Sequence, residues 1–336
     1  MNCVRINSYN TRMTSISISL HPDLHRQMRP LNVFRDLPAV ADLIELCFSS
    51  SMDMEGKKYL QDMRRAGGDR SFLRWASRAA ESASLPLSGY VWEEDHRIVG
   101  NASLVPFRHK NKRLYLIANI AVHPDARRRG IARALTVRAM QHAREKRVDS
   151  VWLHVRDDNP HAHFLYSGLG FVELAKRTSW QAATDLNTPA LRTELSITSR
   201  QKRFWPIQQQ WLSDLYPEAL SWYRHWDFHR LAPGLWNQLV LFLTDANIRQ
   251  WAAIRGNSLE SVLTWIPYGR GESLFIAAGE ASDPDAVPAL LLRARRDLFH
   301  IQSHITLEAP AGQFDGLILS AGFQKLRTLV WMQATL

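Results

Sequence analysis

From 114 to 122 the chain runs LYLIANIAV, almost without a polar position. Ile117, Asn119 and Ala121 fall on one face and Ala118, Ile120 and Val122 on the other, which suits a strand covered on both sides. Pro124 ends it. After Gly130 the period changes to four, with Ile131, Leu135, Ala139 and Ala143 on one helical face. The next strand, SVWLHVR (150–156), sets Val151, Leu153 and Val155 against Trp152 and His154. Asn159-Pro160 then reads as a helix cap with proline at the first helical position. Gly170-Phe171 ends that helix and opens another strand. Upstream, residues 30–48 predict a strand, a turn begun by Asp36 and a helix with Val40, Leu43, Ile44 and Cys47 on one side. A helical segment is expected around 71–83, and residues 88–107 read as a hairpin turning at Glu94-Asp95-His96. The sum is an α/β domain with a mixed sheet flanked by helices.

The same order recurs later. Residues 248–269 repeat the hairpin, 272–281 the long strand, 283–299 its helix and 303–310 the next strand, and 316–332 close with a second Gly-Phe. Aligning Gly322-Phe323 with Gly170-Phe171 puts Ile318 where Tyr166 stands. The basic turn is replaced by Ser282-Asp283-Pro284-Asp285, which is short, acidic and lacks the glycine. The predicted organisation is a polar extension over 1–27, a first domain over 28–184, a linker over 185–200 and a degenerate copy over 201–336. The aromatic stretch 204–226 has two readings: core at helical spacing, or a wall for the first domain's site.

Candidate chemistry sits where the first domain's strand meets its helix. Arg127-Arg128-Arg129-Gly130-Ile131-Ala132-Arg133 opens a helix whose first N–H groups lack intrahelical partners and whose dipole favours an anion. Gly130 allows close approach to the backbone and Ala132 keeps the turn open, so a pyrophosphate fits here. The plain alternative is a solvated basic turn.

The order of motifs around this turn resembles the GNAT N-acetyltransferase superfamily. Its signature is Q/R-x-x-G-x-G/A after a strand. Its later pattern, N-x-x-A-x-x-L-Y-x-x-x-G-F, is filled by Asn159, Ala162, Leu165, Tyr166, Gly170 and Phe171. Residues 119–171 look especially like the bacterial ribosomal-protein alanine N-acetyltransferases. The resemblance implies the acyl-CoA N-acyltransferase fold, twice in tandem, and acetyl-CoA as cosubstrate. It places the pyrophosphate on the turn from Arg127 to Arg133 and the pantetheine along Ile120-Ala121-Val122, with Asn159 touching the cofactor. Unpaired N–H groups of a splayed strand would also polarise the thioester carbonyl. Tyr166 would be the general acid toward the departing thiolate; its alternative is a ring packed on the sheet. The acceptor is a primary amine of a small molecule or a polypeptide.

The chain departs from those relatives at one position. They carry glutamate two residues after the strand tryptophan, where this chain has His154. An imidazole titrating near pH 6.5 can accept an amine proton; a buried or water-bridged histidine is the other reading. The missing glutamate also keeps a noncatalytic acyl-CoA sensor or interaction module in view. His161 and His163 lie about 200° apart on a helix and no third ligand keeps spacing with them, so no metal is expected.

Composition narrows the remaining classes. Two cysteines, Cys3 and Cys47, make no disulfide framework, and a cytoplasmic home follows most simply. No run has the apolar length of a membrane span. The formal charge of +10 and 12 tryptophans raise nucleic acid. The basic residues are dispersed and no recognition motif is present, so anionic small ligands such as coenzyme A are the better match. The degenerate copy offers a face for the acceptor or for a homodimer.

Overall fold

The computed structural model describes residues 27–49, 52, 54–68, 88–183, 193–224, 226, 228–234, 247–267, 273–301 and 304–336. Residues 1–26 of the polar extension, the helix expected over 71–83 and the first half of the predicted linker lie outside the described residues.

The first half runs β1 (Met28–Pro30), α1 (Val33–Phe48), α2 (Met54–Gly68), β2 (Ser88–Glu94), β3 (Arg97–His109), β4 (Lys112–Val122), α3 (Ile131–Glu145), β5 (Ser150–Arg156), α4 (Pro160–Ser167) and β6 (Val172–Ala182). The second half repeats this order. It has β7 (Ser196–Ser199), α5 (Trp205–Leu215), α6 (Ser221–Arg224), β8 (Arg249–Arg255), β9 (Ser258–Trp265), β10 (Leu274–Ala278), α7 (Ala286–Leu298), β11 (Thr306–Pro310), α8 (Asp315–Ser320) and β12 (Phe323–Thr335).

Local chemistry accounts for these elements. The hairpin turn at Asp95-His96 has φ of 46° and 61°, the left-handed pair that matches strand twist. The four-residue apolar stripe of α3 is buried at every predicted position, Ile131, Leu135, Ala139 and Ala143. Gly170 takes φ 88° at the end of α4 and Phe171 behind it is buried. Two boundaries differ from the sequence reading. Helix α1 starts before Asp36, because the Asn32 side chain caps it by accepting from the Phe34 and Arg35 N–H groups. Asp36 instead sits inside the first turn, 2.6 Å from Arg29. The predicted linker ends in a strand, because residues 196–199 add to the β8 edge with Ile197 opposite Ala253.

The described strands form one sheet, in the order β1-β2-β3-β4-β5-β12-β6-β11-β10-β9-β8-β7. Each half gives its last strand to the other: β12 pairs with β5, β6 pairs with β11, and the two exchanged strands pair with each other. The exchange is symmetric. The bulges between Lys325 and Arg327 and between Glu173 and Ala175 fall at equivalent places, Leu326 and Leu174, 152 residues apart like the two Gly-Phe pairs. The two halves are therefore repeats of one fold, joined as halves of one sheet.

In the first half the two sheet faces have separate cores. One, under α3 and α4, gathers Trp92, Leu104, Ile117, Leu153, Val155, Tyr166 and Met332. On the other, α1 and α2 cover Val91 and Ala121. Farther along that face, Trp222 and Leu220 from the second half cover Leu116, Trp152 and Trp331. Among the described residues no helix is long and apolar enough to cross a membrane.

Candidate active site

Strands β4 and β5 run parallel only from Leu114 to Leu116, opposite Ser150 to Trp152, and then separate. Beyond Leu116, the β4 backbone that faced β5 loses its sheet partner. A bulge shapes the same stretch: Asn101 stands opposite Ala121 and Ser103 opposite Ala118, so Asn119 and Ile120 share one place in the ladder. Asn119 adopts φ 53°, and its carbonyl accepts from the buried Asn101 amide at 2.9 Å. Its own amide donates to the Tyr59 hydroxyl of α2 at 2.8 Å. The bulge breaks the alternation read from the sequence and fixes α2 over the gap. Its sequence signal is faint: asparagine, tolerant of left-handed backbone, inside an apolar strand.

The end of β4 leads into the basic turn. Gly130 caps α3 with φ 81° and no side chain caps this helix end. Nothing lies within 4 Å of where a Gly130 side chain would begin, so the space beside the helix start is open. The arginines divide. Arg127 Nε donates to the Val122 carbonyl at 3.1 Å and closes the turn. Arg129 makes two bonds to Glu94 on the β2–β3 hairpin, at 2.7 and 3.0 Å. Arg128 and Arg133 stay exposed. The space, the dipole and these two cations fit a pyrophosphate. The adjoining gap along Ile120, Ala121 and Val122 fits an extended arm.

Tyr166 and His154 lie on opposite faces of the sheet. Tyr166, on α4, packs its ring edge-on to Phe171 at 6.1 Å and is only 7% exposed. No described residue hydrogen-bonds its hydroxyl, and that oxygen is not among the sealed, unpartnered polar atoms. Burial holds its pKa well above the ordinary phenol value, so it keeps its proton. Asn159 accepts from the Ala162 N–H at 3.1 Å and caps α4, the local role expected of it. His154 lies on the other face, half-buried, with its ring 4.9 Å from Trp331 and 6.3 Å from Tyr223. Burial first, then the Arg327 and Arg224 guanidiniums, push its pKa down to about 4, against a smaller opposing effect of Glu308. The ordinary value near 6.5 read from the sequence does not hold here: His154 is neutral at physiological pH.

The second half's matching gap is filled. Strand β10 has no bulge in its pairing with β9, and the Ile276 N–H donates to the Tyr216 hydroxyl at 2.9 Å. The Tyr216 ring meets Trp226, Phe228 and Phe275 at 5.1, 5.2 and 5.8 Å. Before α7, Trp211 crowds Gly279, and Asp283 accepts from the Asp285 N–H. Strand pairing equates Glu308 with His154, since Glu308 faces Ser179 as His154 faces Trp331. That carboxylate is buried and bound by Arg177 at 2.8 Å and by Arg224. Ile318, in the place of Tyr166, is fully buried.

A profile of the Acetyltransferase (GNAT) family matches residues 42–171. The [ribosomal protein bS18]-alanine N-acetyltransferase of Escherichia coli K12 is 38% identical over 80 residues, 24% of this chain and 54% of that protein. Mycothiol acetyltransferase of Frankia casuarinae is 38% identical over 61 residues, 18% of each chain. The chain thus spans about half the length of the ribosomal-protein enzymes and under a fifth of the other. A GCN5-related N-acetyltransferase from Sphaerobacter thermophilus superposes with a TM-score of 0.53 at 15% identity, over 92% of this chain and 95% of that one. This last likeness shows a shared fold through both halves.

Proposed function

We propose that the protein transfers an acetyl group from acetyl-CoA to a primary amine, a reading supported by the match of residues 42–171 to the GNAT acetyltransferase family. The observation that carries this reading is the joining of two features: the open, uncapped helix start at Gly130 and the β4–β5 gap beside it. Acetyl-CoA supplies an acetyl group activated as a thioester. The α3 N–H groups from Ile131 to Arg133, with Arg128 and Arg133, would hold its pyrophosphate. The backbone of Ile120, Ala121 and Val122 would pair with the arm, and N–H groups facing the gap would stabilise charge on the carbonyl oxygen. Arg127 and Arg129 would act one step away, by shaping the turn. Tyr166 would donate a hydrogen bond or proton to the leaving sulfur. Neutral His154 would accept a hydrogen bond from the amine or from a water that takes its proton. Donor and acceptor then enter from opposite faces and meet without an acyl-enzyme.

On this reading residues 28–184 carry the chemistry and 201–336 are a repeat that has lost it. The acceptor is a small molecule or a polypeptide amine, as the ribosomal-protein relatives act on alanine of bS18. Calorimetry with coenzyme A should find one site per chain. Gly130→Asp adds a side chain at a left-handed backbone position and a negative charge at the phosphate site, so binding should fall sharply. Unchanged binding by a folded Gly130→Asp, or two equivalent sites, would remove the reading.

A further inference from the structure

The face of the gap that the acceptor must enter is built by both repeats, and its open surface is aromatic. Tyr59 from α2, His154 from β5 and Tyr223 from α6 are each half-buried around it. Behind them the wall is sealed: Trp331 and Trp152 are 0% and 3% exposed. Tyr223 stacks obliquely on Trp331 at 4.8 Å and stands 6.3 Å from the His154 ring. Phe107 and Trp222, 4.7 Å apart, hold the α6 turn against the first half's sheet. Tyr59 is fixed by Asn119 at the bulge; burial first, and the nearby Tyr223 phenol after it, hold the Tyr59 hydroxyl above its ordinary pKa. The hydroxyls and rings of these residues are uncharged groups.

Carboxylates are the groups a polycationic acceptor needs, since each further ammonium brought out of water must be offset by an anion. Among the described residues the carboxylate that acts on His154 is Glu308, and two guanidiniums already hold it. A single neutral amine against ring faces is another matter: aromatic faces cover an apolar body and stack on another ring, and the Arg224 and Arg327 guanidiniums near His154 favour the uncharged amine over an ammonium.

We propose that the acceptor is a small monoamine with an aromatic group close to its amino nitrogen, and that Tyr223, supplied by the second repeat, selects it. This rests on the acetyl-transfer reading for the identity of the gap, but its test does not depend on turnover. The second repeat then has a use that needs no coenzyme site of its own: it closes the acceptor side of its neighbour's.

The test is calorimetry on the full chain saturated with coenzyme A, titrated with 2-phenylethylamine, n-butylamine, spermidine and a short peptide beginning with alanine. The expected order places 2-phenylethylamine first. Tyr223→Ala should weaken it about three- to tenfold, the loss of one ring's contact, and should weaken n-butylamine by less; Tyr223→Phe should retain it. In turnover the alanine variant should raise KM for the aromatic amine more than it lowers kcat. Tighter binding of spermidine or the peptide, no binding of the aromatic amine, or an unaltered affinity in a folded Tyr223→Ala would each overturn the inference. Failure of the acetyl-transfer reading shows differently, as absence of coenzyme A binding or of transfer to every amine.

Discussion

At the scale of single residues, the two side chains flanking the gap differ in what their surroundings let them do. Tyr166 is buried and keeps its proton through the whole assay range, so it can serve as a donor without contributing an alkaline limb near pH 10. Tyr166→Phe keeps the ring that packs on Phe171 and removes only the donor. kcat should fall, within the roughly 10²–10⁴-fold span of general-acid effects, while coenzyme A affinity stays nearly intact. A fall below about twofold with a good acceptor, where chemistry limits turnover, would leave Tyr166 a packing residue. His154 makes a prediction of opposite kind. Its pKa is lowered to about 4 in the folded chain from 6.5, so the folded state binds fewer protons than the unfolded one. Its contribution to stability is fully present above pH 6.5 and is lost as pH falls toward 4. The wild type should therefore lose stability over that window more steeply than His154→Gln, measured by denaturant titration at fixed pH values. Rate profiles between pH 6 and 9 should keep their shape in the variant, because the acidic limb there belongs to the amine. A limb near pH 6–7 that disappears with His154→Gln would show an imidazole titrating at its ordinary value after all.

Elements show where sequence reasoning reached and where it stopped. Strand, basic turn and helix around Gly130 are local: the apolar run, Pro124, the glycine and the four-residue period each act within a few residues, and all four appear where the pattern puts them. The repeat is legible for the same reason, since equivalent strands and helices carry equivalent periodicity. Strand exchange is not. Strands β6 and β12 have the same apolar alternation whether they return to their own half or cross to the other, and nothing local distinguishes the two closures. The buried anchor of the exchange is likewise a contact between distant positions. Arg177 on β6 binds Glu308 on β11 and the Leu215 carbonyl, with its guanidinium 5.0 Å from both the Tyr216 and Trp226 ring centres. Read alone, Glu308 is an ordinary strand glutamate. In place it is the counterpart of His154, tied into the core by the arginines that surround it. Position 154 lacks the arginine that binds Glu308: Leu329 stands 152 residues on from Arg177, as Trp331 does from Ser179. The aromatic stretch over 204–226 was legible as a choice between core and wall, and the structure divides it: Phe204 and Tyr216 are core of the second half, while Trp222 and Tyr223 cover the first.

For the whole molecule, exchange makes the halves interdependent. In the described sheet β5 has β12 as its outer neighbour and β6 pairs only with β12 and β11, so neither half completes its own sheet. Separating them would strip both edges of β6 and one of β5 and would expose the buried Arg177–Glu308 pair, whose disruption alone costs about 3–5 kcal/mol when one partner is removed. The molecule should thus unfold as one cooperative unit, with a single transition by circular dichroism and by tryptophan fluorescence. A ligand held by the first half alone then stabilises the second half as well: coenzyme A at 100 times its Kd should add about 2.7 kcal/mol to the whole transition. Amide hydrogen exchange offers the sharper view. Protection should rise on coenzyme A binding in β8, β9 and β10, which lie across the exchanged strands from the gap, as well as in β4 and β5. Two resolved transitions, or protection confined to the first half, would mean that the exchanged strands join two independently stable domains, and the second repeat would then have to shape the acceptor site without sharing its stability.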